Sequence, residues 1–245
     1  MIRFVIAVWQ TAGVSTLRTA RDHARAAVQA QILATARRHL AEHGPGELSL
    51  RAVARELELV PSAVYRYFEN HDALLTAMIV EAYDALGDEA EAALAASSRR
   101  APAARWVAVA KAIRSWAVAH PHEYALLYGT PVPGYAAPDD TVVPGTRVSL
   151  ALVQVVADAH ADGLLGDAAV ASISASSRRE MTKLLDRLAL ELPAEAMFHT
   201  IAAWTQLFGL LSFELFSQTR GLVEHHERFF ADTAMTMARQ IGLAD

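Results

Sequence analysis

Apolar residues return every three or four positions through most of this chain, the spacing that lays a single stripe along an α-helix. The first stripe, Ala24, Val28, Ile32, Leu33, Ala36 and Leu40, predicts a helix from about Thr19 to His43, stopped by Gly44-Pro45-Gly46. Leu50, Val53, Ala54 and Leu57 predict a short second helix with Ser49 as its N-cap. Pro61 suits the first position of a third, and Val64 and Phe68, four apart, give that helix of about two turns its buried side. Asn70 caps a long helix reaching about Ser98, with Ala73, Leu74, Ala77, Met78, Val80 and Ala85 turned inward. Another follows from about Ala103 to His120, its apolar face made by Trp106, Val109, Ala110, Ile113, Trp116 and Ala117. Four prolines and two glycines between Pro131 and Gly145 predict an extended loop before helix resumes at Thr146 and runs to His160. Ala168 to Arg179 is ambiguous, and Glu180 to Leu192 is expected to be helical. Ala194 to Thr219 is the most apolar segment: Met197, Ile201, Trp204, Phe208, Leu211 and Leu215 form one stripe, which Phe198, Leu207, Leu210 and Phe213 widen almost all round. Such a helix must be buried on more than one side. A last helix, about Val223 to Ile241, completes an all-α reading.

The third helix leaves Pro61, Ser62, Ala63, Tyr65, Arg66 and Tyr67 facing outward, small residues in front and hydroxyls with a guanidinium behind. That arrangement fits a DNA major groove, where the first turn nears base edges and longer side chains reach phosphates. The segment resembles the helix-turn-helix of the TetR family of one-component bacterial regulators. The matching residues are Ile32 and Ala36, the turn Gly44 to Glu47, the run Ser49 to Phe68, and Asp72 to Leu75. Two positions depart from the family pattern, which usually has Gly where this chain has Glu58 and a capping residue where it has Val60. Each loss costs on the order of 1 kcal/mol. Trp116 to Gly129, WAVAHPHEYALLYG, is similar to a C-terminal subtype of the family marked by a Trp, a His-Pro and a terminal Gly.

The resemblance implies an N-terminal three-helix DNA-binding domain over residues 20–70, preceded by an arm at 1–19, and a C-terminal ligand-binding and dimerisation domain over 71–245. It implies DNA contacts from Ser49, Arg51, Pro61, Ser62, Ala63, Tyr65, Arg66, Tyr67 and His71. Arg51 matches a place where some relatives contact a guanine, but is equally readable as a phosphate contact or a solvated side chain. Tyr65 and Tyr67 match phosphate-contacting positions, although Tyr67 reads almost as well as a packed aromatic. His71 stands where relatives often have Lys, so a neutral imidazole weakens that contact. The last two helices match the family's dimer interface, with Trp204, Leu207, Leu211, Leu215 and Phe229 as candidates, and a two-fold dimer supplies the paired heads that a palindromic operator needs.

Charge complicates this picture. The net charge is −5, and between Arg18 and Asp72 eight arginines meet seven acids. A basic DNA-facing surface must therefore be local, with Arg18, Arg21, Arg25, Arg51 and Arg66 on one side. A composition 53% hydrophobic and 20% charged is ample for a core. The absence of cysteine removes disulfides, thiol nucleophiles and thiolate metal sites, and fits a cytoplasmic setting. The arm at 1–19 is left open between a free arm, a segment docked on a partner subunit and residues upstream of the true start. Its apolar run Phe4 to Trp9 is too short to span a bilayer, and Gln206, Glu214 and Arg220 argue against a span at the apolar helix.

Little else suggests chemistry. His120, His122 and Glu123 surround Pro121, and His225, His226 and Glu227 form a second group, but neither has the HExxH spacing that aims two ligands from one helix face. No metal, cofactor or catalytic residue is expected. Trp106, Trp116, His120, Tyr124, Tyr128, Trp204 and Phe208 can line an apolar effector pocket with a few polar handles, or be plain core. The sequence thus reads as a dimeric repressor released by a small apolar or aromatic ligand. Alternatives are a ligand-dependent activator or co-repressor-dependent relative, and, from another class, a helical enzyme or lipid carrier with a vestigial helix-turn-helix.

Overall fold

A computed structural model describes residues 20–167 and 172–245, so the arm at 1–19 lies outside the described residues. Those residues contain ten α-helices: α1 Ala20–His43, α2 Leu50–Glu56, α3 Pro61–Val64, α4 His71–Ala96, α5 Pro102–Ala119, α6 Pro121–Tyr128, α7 Val142–Ala161, α8 Ala175–Leu188, α9 Ala194–Leu215 and α10 His226–Ile241. Among them there is no strand, only an isolated bridge between Leu165 and Leu243.

Local chemistry accounts for several helix ends. The Ala52 amide donates to Ser49 Oγ at 3.1 Å and the Ala73 amide to Asn70 Oδ1 at 2.8 Å, capping α2 and α4. Ser174 Oγ accepts from the Ser177 amide at 3.1 Å, which starts α8 inside the Ala/Ser-rich stretch that periodicity left undecided. At the other end of α2, Leu59 N–H bonds back to the Ala54 carbonyl at 2.9 Å and Glu58 N–H to that of Arg55 at 3.2 Å. This is a Schellman closure with Glu58 in the left-handed region at φ 54°. Ala189 and Ser217 close α8 and α9 the same way, at φ 53° and 60°.

Several boundaries differ from expectation. Helix resumes at Val142 rather than Thr146, because Pro144 falls in the first turn of α7, where a missing N–H costs no helical bond. The Schellman closure at Ala189 ends α8 four residues before Leu192 can join it. The recognition segment is a single α-turn, Pro61–Val64, followed by turns at Tyr65 to Tyr67. Ala24 and Ala85, expected to face inward, are exposed; burial on α1 begins in earnest at Ile32.

The helices pack as two compact units. One comprises residues 20–85 with 120–145, the other 86–119 with 146–245, so the continuous α4 contributes to both. In the first, Ile32, Leu33, Ala36 and Leu40 of α1 close over Leu50, Val53 and Ala54 of α2, Val64, Phe68, and Leu74, Leu75 and Met78 of α4. In the second, α5 packs on α10, and α9 on α8 and α10. Arg114 crosses that core to Glu214 through two hydrogen bonds of 2.5 and 3.0 Å and lies 5.8 Å from the Phe230 ring. α7 is apolar and long enough to cross a membrane by length and composition. Its inward residues, Val148, Leu152, Val155, Val156 and Ala159, are nevertheless core of the second unit, and its ends carry ion pairs from Arg147 to Glu91 and from Asp158 to Arg105.

Candidate nucleic-acid interface

The corner between α2 and α3 is built by burying one face and presenting the other. Val64 is fully buried and Phe68 nearly so, which fixes the rotation of the recognition segment. Pro61, Ser62, Tyr65 and Arg66 are then exposed, while Ala63 and Tyr67 are half-buried. Val60 precedes Pro61 without any side-chain cap, and the Ala63 amide is satisfied instead by the Val60 carbonyl at 2.8 Å. Ser49, by contrast, has its hydroxyl engaged with the Ala52 amide, so its placement is that of a cap. Tyr67 packs on the core of the first unit, and Tyr65 stands clear of it at 45% exposure.

The arginines sort into two groups. Arg37 pairs with Glu81 at 3.0 Å and Arg38 with Glu56 at 2.7 Å, which neutralises the C-terminal half of α1. Arg21, Arg25, Arg51, Arg55 and Arg66 are exposed and have no ion-pair partner among the described residues. These five cations stand on α1, α2 and the recognition segment, a local positive charge inside a chain of net charge −5. Arg55 was not singled out from sequence; its unpaired state is visible only once Arg38 is seen to hold Glu56. His71 is less well disposed to a phosphate than its position suggests. Its Nδ1 lies 3.1 Å from Asp72 Oδ1, so a carboxylate already occupies the approach.

The effector candidates are distributed over both units. Trp106 is fully buried and Trp116 nearly so on α5, while Trp204 and Phe208 of α9 meet edge to face at 6.0 Å. The indole N–H groups of Trp106 and Trp204 are buried without a hydrogen-bond partner among the described residues. In the first unit, Tyr124 is fully buried, with its ring 5.1 Å from Tyr128, and Tyr128 meets Tyr83 edge to face at 6.1 Å. Burial, with neighbouring Tyr83 and Tyr124, pushes the Tyr128 phenol well above its ordinary 10.0. His120 is exposed, its Nδ1 2.9 Å from Glu123 Oε2. A charge chain from Glu123 through Arg37 to Glu81 ties α6, α1 and α4 together, and burial, against the pull of Arg37, raises the Glu81 carboxyl above its usual value. Of the dimer candidates, Leu207 and Leu211 prove fully buried inside this single chain and are not available to a partner. Phe229 is exposed, Trp204 and Leu215 are half-buried, and the exposed Phe213, Phe216 and Leu222 join them as apolar surface.

A capped helix, a tight corner and an exposed recognition turn, surrounded by unpaired arginines and followed by a large helical unit, define a helix-turn-helix regulator of transcription. Comparison with known proteins makes this specific. Residues 32–78 match the bacterial regulatory proteins of the tetR family, and residues 106–237 match the tetracyclin repressor-like C-terminal domain. The HTH-type transcriptional regulator Rv1816 of Mycobacterium tuberculosis is 37% identical over 213 residues, covering 85% of this chain and 88% of that protein. The crystal structure of SCO4313 aligns with a TM-score of 0.74 at 30% identity over 89% of this chain and 98% of that one. The TetR family regulator PfmR from Thermus thermophilus aligns at 0.57 and 15% identity over 87% of this chain and 99% of that one, a likeness of fold alone. The chain belongs to the TetR family of DNA-binding transcriptional regulators.

Proposed function

We propose that this regulator is a cytoplasmic homodimeric repressor that holds a palindromic operator through Arg51 and the Pro61 to Tyr67 segment and is released by a small apolar or aromatic effector. The observation that carries the reading is the set of exposed arginines on α1, α2 and the recognition segment that have no ion-pair partner among the described residues, while Arg37 and Arg38, about three turns beyond Arg25 on α1, are neutralised. Among them, Arg51 lies in the first turn of α2 with no ion-pair partner among the described residues, which suits either a guanine or a phosphate. Dimerisation through α9 and α10 is supported by the exposed rings of Phe213 and Phe229, 58% and 46% exposed, with Phe216 and Leu222 also exposed between them in sequence. An effector site in the C-terminal domain is supported by the buried, unpartnered N–H groups of Trp106 and Trp204, donors suited to an acceptor on an otherwise apolar molecule. Effector binding acts only through its different affinity for the operator-bound and free states.

Titration against the DNA upstream of the gene and against scrambled DNA, at two salt concentrations, tests the reading. A preference of about a thousandfold or more for the upstream DNA, weakened by Arg51→Ala and relieved by an apolar ligand, is the expected result. Equal, weak binding to both DNAs at both salts would sink it.

A further inference from the structure

We propose that Arg25 is a positioning residue for the recognition segment: its guanidinium clamps the Arg66 carbonyl and the Tyr67 ring together, and so sets where the outward face of that segment meets DNA. The proposal rests on the reading that Pro61 to Tyr67 is the DNA-facing segment. Arg25 stands on α1, forty-one residues before Arg66, and its Nη2 donates to the Arg66 carbonyl at 3.3 Å. Its guanidinium carbon also lies 5.1 Å from the centroid of the Tyr67 ring. No carboxylate pairs with it among the described residues, unlike Arg37 and Arg38 further along the same helix.

The recognition segment needs such a clamp because its own restraints are few. It has one α-turn, no side-chain cap at Val60, and backbone bonds from Ala63 N–H to Val60 O at 2.8 Å, Tyr65 N–H to Pro61 O at 3.1 Å, Tyr67 N–H to Val64 O at 2.9 Å and Phe68 N–H to Val64 O at 3.1 Å. A segment this short cannot hold its own geometry by helical hydrogen bonding. Val64 and Phe68 pin its inner side, and Tyr67 adds a half-buried ring against the same core. Tyr67 has the hydrophobic core beneath it and Arg25 across its face, so the guanidinium confines the ring, and with it the phenol oxygen, from the solvent side. A planar fork can stack on a ring and donate to a carbonyl together; a lysine ammonium cannot do both.

The test uses the full-length protein with Arg25→Ala, Arg25→Lys, Tyr67→Leu and the Arg25→Ala/Tyr67→Leu double variant. Arg21→Ala, which loses a neighbouring cation without a clamp, is the control. Two readouts are followed, amide hydrogen exchange of the free protein and operator titration as a function of salt. In the free protein, Arg25→Ala and Arg25→Lys are expected to speed exchange at the Tyr67 and Phe68 amides about three- to tenfold, with Arg21→Ala leaving them unchanged. With operator DNA, Arg25→Ala is expected to weaken binding by a similar factor while keeping the slope of log affinity against log salt. The double variant should then be no weaker than the worse single one. Unchanged exchange at Tyr67 and Phe68 would overturn the proposal even if the protein bound no DNA. So would a salt slope smaller by about 0.9, the mark of a direct phosphate contact, or strict additivity with Tyr67→Leu. Failure of the wild type to prefer operator DNA, with the exchange result intact, would count against the DNA-facing segment and leave the clamp standing.

Discussion

Glu58 shows what a single residue contributes at the corner of the reading head. Its left-handed φ of 54° is imposed by the Schellman closure of α2, and an L-residue with a Cβ resists that conformation. Glu58→Gly is therefore expected to stabilise the protein by about 1 kcal/mol in urea unfolding, the relief of strain exceeding the extra freedom glycine gives the unfolded chain. A loss of stability would mean that the Glu58 side chain does something the backbone geometry conceals. Tyr128 makes the corresponding point for burial. The folded chain holds its phenolic proton more tightly than the unfolded chain, so the resulting stability is present below pH 10 and lost as pH rises beyond it. Tyr128→Phe should flatten the alkaline fall in melting temperature, and identical curves for both proteins would contradict the burial seen here. Gly129, which closes α6, is required sterically: a Cβ there would overlap the Ala125 carbonyl oxygen.

At the level of the helices, charge placed inside the second unit ties α5 to α9. Arg114 and Glu214 keep only 15% and 12% of their side-chain surface in water, and they meet in a fork geometry that two charges need if they are to leave solvent. Removing one of them strands the other. Glu214→Gln is expected to cost roughly 2–3 kcal/mol in chemical denaturation, somewhat less than for a fully buried pair, whereas Arg114→Leu with Glu214→Leu should recover most of that loss. If the double replacement were the less stable, the pair would be contributing more than mutual compensation. Arg147 is held similarly, bonded to Asp88 and Glu91 of α4 and lying directly over Gly87, where any larger residue would collide with it. The short α3 is the opposite case, an element with too few internal bonds to define itself, which is why the helix of two turns expected from Val64 and Phe68 is one turn followed by turns.

For the molecule as a whole, the apolar surface of α9 and α10 carries the strongest consequence. Phe213→Glu with Phe229→Glu should leave helicity unchanged, convert a dimer to a monomer in sedimentation, and weaken operator binding at least about a hundredfold, because each head alone loses the advantage of linkage. A wild type that sediments as a monomer would refute the assembly outright.

Much of this was legible in the residues. Helical periodicity, the Ser49 and Asn70 caps and Pro61 at a helix start are local signals, decided within one or two turns, and they mark the all-α fold and the reading head. So does the left-handed demand on Glu58, which follows from its position at the end of α2. What only the tertiary structure decided is which side chains remain available. Arg37 and Arg38 look like Arg21 and Arg25 in the sequence, but Glu81 and Glu56, forty-four and eighteen residues away, neutralise the first two, while no carboxylate among the described residues pairs with the others. Leu207 and Leu211 are dimer candidates by resemblance to the family, yet this single chain buries them and leaves Phe213 and Phe229 exposed. Periodicity identifies an apolar face; whether that face meets its own chain or another depends on packing between helices distant in sequence, which no local pattern encodes.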